Sequence, residues 1–83
     1  MENPFDYSGK RVVVTGAFSG VGAALVDLLK ELGTQEIIAL DIHKPDGPID
    51  RYIETNMGDA DAVAAAAAAI EGPVDVLFNN AGI

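Results

Sequence analysis

The segment Thr15-Gly16-Ala17-Phe18-Ser19-Gly20-Val21-Gly22 has the residue types and spacing to cradle a phosphate group. Gly16 can take a backbone conformation closed to other residues. Gly20 lets the main chain approach a pyrophosphate with no Cβ in the way, and Gly22 permits a helix to pack closely on a strand. A helix opening at Gly20 turns its unpaired amides and the positive end of its dipole toward that ligand. Ser19 is placed either to cap the helix or to donate its hydroxyl to the ligand. A glycine trio also suits a tight strand-to-helix turn that binds nothing, so a second feature has to decide.

Asp41 is that feature. It follows Gly22 by about the twenty-residue interval at which a second strand ends beside an adenosine ribose, and its carboxylate can accept both ribose hydroxyls. The alternative is a solvated acid that merely ends a strand. A 2′-phosphate at that spot meets like charge, and neither Ser19 nor Ile42 is an arginine able to offset it. The residues therefore predict NAD over NADP.

The elements that must position this segment can be read from hydrophobic patterning. Lys10 to Thr15 carries Val12, Val13 and Val14 in succession, which predicts a strand buried on both faces. From Gly20, the residues Val21, Ala24, Leu25, Leu28, Leu29 and Leu32 repeat the spacing of one helix face, closed by Gly33. Glu36 to Asp41 reads as a second buried strand through Ile37, Ile38 and Leu40. Pro45, Gly47 and Pro48 make Ile42 to Asp50 a loop, and Arg51 to Glu54 is a short third strand. Asp59 or Asp61 caps a helix running through Ile70, whose Ala64 to Ala69 run has high helix propensity but little bulk. Gly72 and Pro73 stop it. Val74, Val76, Leu77 and Phe78 form a fourth strand that runs into Asn79-Asn80-Ala81-Gly82. The order β-α-β-β-α-β predicts an α/β fold with a doubly wound parallel sheet. Residues 1–9 form an N-terminal extension and residues 10–83 a dinucleotide-binding segment.

Composition excludes several other functions. Five Lys+Arg against thirteen Asp+Glu give a net charge of −8, which disfavours nucleic acid and anionic membrane surfaces as partners. There is no cysteine, and the single His43 has no neighbour at metal-ligand spacing, so no metal site is expected. His43, beside Lys44 and Pro45, reads as a solvated loop histidine rather than a base. Asp59 and Asp61 read as helix-start acids rather than a catalytic pair. The N-terminal segment lacks a basic-then-apolar signal, and the expected setting is soluble and cytoplasmic.

The glycine segment at residues 15–22 and Asn79-Asn80-Ala81-Gly82, in that order, resemble the classical short-chain dehydrogenases/reductases. The resemblance runs from Lys10 onward. It implies a Rossmann-type sheet, a nicotinamide cofactor and hydride exchange between an alcohol and a ketone. It assigns Gly16, Phe18, Ser19, Gly20, Val21 and Gly22 to the pyrophosphate and Asp41 to the ribose. Ile42 packs near the adenine. Asn56 and Met57 resemble the pair that meets the adenine edge, although the family more often has Asp at the place of Asn56. Asn79, Ala81 and Gly82 pass beside the cofactor ribose, with Asn79 also tying neighbouring strands. Phe18 stands where the family usually has a small residue, and either shields the pyrophosphate or packs locally.

The family's catalytic Tyr-x-x-x-Lys pair has no counterpart among these 83 residues, since Tyr7 is followed by Arg11 and Tyr52 by Asn56 at that spacing. No catalytic residue is assigned, and these residues alone are expected to be inactive. The expected parent is a longer, homo-oligomeric NAD-dependent enzyme, of which this is the cofactor-binding portion. The short interval from Asp41 to Asn56 resembles members acting on hydroxysteroids or aryl alcohols. The alternative is a non-catalytic nucleotide-binding or redox-sensing module. The fourth strand, an apolar edge, is expected to need cover from further chain, a second copy or a partner.

Overall fold

The structure is a computed structural model and describes residues 7–18 and 20–80. Its elements are β1 (Arg11–Thr15), α1 (Gly20–Glu31), β2 (Glu36–Asp41), β3 (Arg51–Glu54), α2 (Ala60–Ala69) and β4 (Val76–Asn79). The four strands are parallel in the order β3-β2-β1-β4. From β1 the chain winds outward through β2 to β3, then crosses back to lay β4 on the other side of β1. That reversal makes a switch point between β1 and its neighbours, and all four carboxyl ends lie along one edge of the sheet.

Strand alternation divides the core into two layers. Val12, Val14, Ile37 and Ala39 point to one face, where they bury against Val26 and Leu29 of α1. Val13, Ile38 and Leu40 point to the other, against Ala66 of α2. Consecutive apolar residues in β1 and β2 are what a sheet covered on both faces requires. The sheet is thus doubly wound, as the patterning predicts.

The buried face of α1 matches the predicted one at Leu29 and, in part, at Leu25, and differs elsewhere. Val21 is 73% exposed and Leu28 48% exposed, while Gly22, Val26 and Leu29 are buried. The three-and-four spacing fits more than one stripe on a leucine-rich helix. Gly22 resolves the ambiguity: unlike Gly20, it stands where a Cβ would strike the backbone of the glycine turn, so it must face that close approach, and this rotates Val26 inward. The fourth strand also starts later than predicted, at Val76, leaving Val74 in the turn before it. For α2, Asp59 rather than Asp61 is the cap: its Oδ1 accepts from Asp61 N at 2.9 Å and Ala62 N at 3.4 Å.

Arg11 locks the amino end of the sheet. Its Nε lies 2.6 Å from Glu36 Oε1, and its Nη1 donates to the carbonyls of Glu71 (2.8 Å) and Pro73 (2.9 Å). Its backbone N–H donates to Asp75 Oδ2 at 2.8 Å. One side chain therefore joins β1, β2 and the α2–β4 turn. Beyond it, between α2 and β4, lies an apolar groove of about 670 Å³ lined by Val13, Leu40, Met57, Ile70 and Leu77. Leu77 is 61% exposed on β4, which forms one edge of the described sheet. Neither α1 nor α2, of 12 and 10 residues, is long enough to cross a membrane.

Candidate nucleotide-binding site

The glycine turn is built where β1 ends, beside the end of β2. Gly16 has φ of 66°, a left-handed conformation that favours glycine. Its N–H donates to Leu40 O at 3.0 Å, which ties the turn to β2 one residue before Asp41. A Cβ on Gly22 would lie 2.0 Å from Gly16 O and 2.9 Å from Ala17 Cα, so only glycine lets α1 start this close to the turn. Gly20 is different. Its φ is not positive, and a Cβ there would meet no atom within 4 Å among the described residues beyond its own chain neighbours and helix backbone. Nothing in the fold demands glycine at 20; the space outside its backbone is open.

Asp41 lies at the carboxyl end of β2, half-buried, and is held from several sides. Its Oδ2 accepts from Phe18 N at 3.0 Å and its Oδ1 from His43 N at 3.2 Å. Its backbone carbonyl accepts from Tyr52 Oη at 3.0 Å and Thr55 N at 2.9 Å. Burial first, then the Glu54 and Asp41 carboxylates, raise the Tyr52 phenol above its ordinary value, so it stays a donor. Phe18, 47% exposed, and His43 stand ring to ring at 5.2 Å between centroids and 48° between planes. His43 is an exposed loop residue, as its sequence neighbours predict, and its ring in addition meets that of Phe18. Ile42 is exposed next to it, and Val21 faces solvent beside Gly20.

The remaining predicted residues fall into two groups. Asn79 belongs to the same edge: Thr15 Oγ1 donates to Asn79 Oδ1 at 2.9 Å and accepts from Asn80 N at 3.1 Å. Thr15 thus fastens β1 to the end of β4, a role its residue type alone does not indicate. Thr15 and Asn79 are register partners, and two polar residues at adjacent strand ends were the available signal. Asn80 Nδ2 is buried with no hydrogen-bond partner among the described residues. Asn56 uses its side chain locally, accepting from Gly58 N at 2.9 Å, while Met57 packs against the α2-side core. Ser19, Ala81 and Gly82 lie outside the described residues.

A nicotinamide dinucleotide fits this arrangement on chemical grounds. The open cradle outside Gly20, at the start of α1, can take a pyrophosphate on amides and a positive dipole end. The Asp41 carboxylate has lone pairs left for a ribose diol after its two backbone bonds. No cluster of metal-ligating side chains occurs among the described residues.

An open parallel sheet with a glycine turn at its switch point and an acid ending the next strand defines a Rossmann-type α/β protein. The chain matches the short chain dehydrogenase family over residues 10–83, and it belongs to that family. It is 38% identical to Dehydrogenase RED2 of Cochliobolus heterostrophus, covering 99% of this chain and 34% of that protein. It is 36% identical to gluconate 5-dehydrogenase of Gluconobacter oxydans (95% and 36% covered). It is 41% identical to D-xylose 1-dehydrogenase of Caulobacter vibrioides (89% and 34% covered). The chain thus spans about a third of the length of the curated relatives it matches. No solved structure matches significantly.

Proposed function

We propose that these residues form the cofactor-binding portion of an NAD-dependent oxidoreductase that interconverts a secondary alcohol and a ketone. The observation that carries this reading is the pairing of the open cradle at Gly20 with the Asp41 carboxylate at the end of β2. Gly20, Val21 and Gly22, with Ser19, hold the pyrophosphate at the start of α1, Gly16 and Phe18 shape the turn beneath it with their own amides tied to Leu40 and Asp41, and Asp41 accepts the ribose hydroxyls. Ile42, Asn56 and Met57 flank the adenine, and Asn79, Ala81 and Gly82 border the nicotinamide ribose. The cofactor, when bound, supplies the hydride carrier; these residues orient it and do not touch the alcohol.

Preference for NAD follows from charge. Two unit charges 4 Å apart repel by about 1 kcal/mol in water and about 4 kcal/mol at the effective dielectric near a protein surface. Asp41 is half-buried, and Glu54 is its register partner on β3, so a 2′-phosphate meets two acids. The short chain dehydrogenase membership supports the reaction class, as do relatives named as dehydrogenases of gluconate and xylose. The catalytic residues lie outside the 83 residues, which alone turn nothing over, and the complete protein is a homo-oligomer.

The full-length protein, given NAD⁺ and a panel of secondary alcohols that includes hydroxysteroids and aryl alcohols, is expected to produce the absorbance of reduced nicotinamide. Absence of turnover across the panel in both directions, together with no binding of either nicotinamide cofactor, would overturn the reading.

A further inference from the structure

Asp41 is fastened more elaborately than acceptance of a ribose diol requires. Each carboxylate oxygen takes one backbone N–H, Phe18 N at 3.0 Å and His43 N at 3.2 Å. The side chains of those two donors then meet each other, with ring centroids 5.2 Å apart and planes tilted by 48°. That separation lies within the range of about 4.5–7 Å in which aromatic pairs attract in tilted arrangements. Phe18 belongs to the glycine turn before α1 and His43 to the loop after β2. The contact therefore joins the same two segments whose backbone amides hold the acid.

We propose that Phe18 and His43 form a ring clasp over the Asp41 carboxylate that determines specificity at the ribose 2′ position. This rests on the reading of Asp41 as the ribose acceptor. A diol needs only the free lone pairs of the carboxylate, which the clasp leaves available. A 2′-phosphate needs room beside the carboxylate and hydrogen-bond donors for its oxygens. Two backbone donors beside it among the described residues, Phe18 N–H and His43 N–H, are consumed by Asp41 itself. The paired rings belong to the same two residues whose amides hold the carboxylate, and they form the proposed wall beside it. Rejection of the phosphate is thus steric and hydrogen-bonding in origin as well as electrostatic. Removing the ring of Phe18 or of His43 should relax it while Asp41 stays in place. Both side chains are exposed, so neither truncation disturbs the core.

The test uses the full-length protein and two probes that lack nicotinamide, ADP-ribose and 2′-phospho-ADP-ribose, with calorimetric affinities for the natural protein, Phe18→Ala, His43→Ala and the double variant. The ratio of affinities favours ADP-ribose in the natural protein. It is expected to fall about tenfold in each single variant, equivalent to ~1.4 kcal/mol, and no further in the double, because the rings act as one unit. Unchanged ratios in both single variants would overturn the clasp while leaving the NAD reading intact. So would a change in Phe18→Ala alone, since the wall would then be one ring and not a pair. Failure of the natural protein to bind ADP-ribose would overturn the clasp and the NAD reading together.

Discussion

Gly20 and Gly22 stand two residues apart in one motif, yet alanine should damage different properties at each. At Gly22 the new Cβ falls 2.0 Å from the Gly16 carbonyl oxygen, about 1.4 Å inside the 3.4 Å at which ordinary contact begins. The atoms it meets are backbone of the turn, so no side chain can swing aside. Over-packing of this kind costs ~3 kcal/mol or more. With a urea dependence of roughly 1–3 kcal/mol per molar, the unfolding midpoint should drop by roughly 1–3 M. At Gly20 the new Cβ meets nothing within 4 Å and the backbone is already helical, so stability should stay within about 0.5 kcal/mol of the natural protein. The methyl instead enters the space assigned to the pyrophosphate. Loss of a charge-assisted amide bond there, at ~1.5–3 kcal/mol, weakens ADP-ribose by roughly ten- to a hundredfold. Urea unfolding and calorimetric titration of the two full-length variants separate these effects. A Gly22→Ala protein as stable as the natural one would refute the packing argument. A stable Gly20→Ala protein with unchanged affinity would refute the cradle.

Val26→Ala should cost ~2 kcal/mol in urea unfolding, because Val26 is fully buried, whereas Val21→Ala should change stability by less than ~0.5 kcal/mol. Arg11→Ala should cost ~1–2 kcal/mol, since it strands Glu36 and two carbonyls of the α2–β4 turn, though partial exposure of the pair limits the loss. The Tyr52 phenol is raised in the folded state, so its contribution to stability is fully present below pH ~10 and is lost as pH rises above that value. The thermal midpoint of the natural protein should therefore fall more steeply above pH ~10 than that of Tyr52→Phe; parallel profiles would remove Tyr52 as the cause.

Legibility in the sequence followed the range of the interactions. Strand β2 was readable to the residue because buried strands here are continuous apolar runs, and its last residue, Asp41, could be located by interval alone. Gly16 and Gly22 were readable because backbone constraints admit one residue type. The buried stripe of α1 was legible only at Leu25 and Leu29: leucines and valines nearly encircle the helix, and the stripe is chosen by how Gly22 seats it on the sheet. Val74 read as strand because it is apolar and β-branched, but it stands between Pro73, which has no N–H, and Asp75, whose carboxylate takes the backbone N–H of Arg11. His43 is exposed, as predicted, but its contact with Phe18, twenty-five residues away in sequence, was not legible. Contacts between loops leave no local pattern, and that is where the site's least predictable feature lies.

The Gly20 cradle and the Asp41 carboxylate should bind a nicotinamide dinucleotide with two free ribose hydroxyls. Calorimetric titration of the full-length protein with NAD⁺ and NADP⁺, repeated on Asp41→Asn, tests it most directly. The account predicts NAD⁺ binding at least about tenfold tighter than NADP⁺, a gap of ~1.4 kcal/mol or more that narrows when the charge is removed. Equal affinities in the natural protein, or a gap untouched by Asp41→Asn, would contradict it.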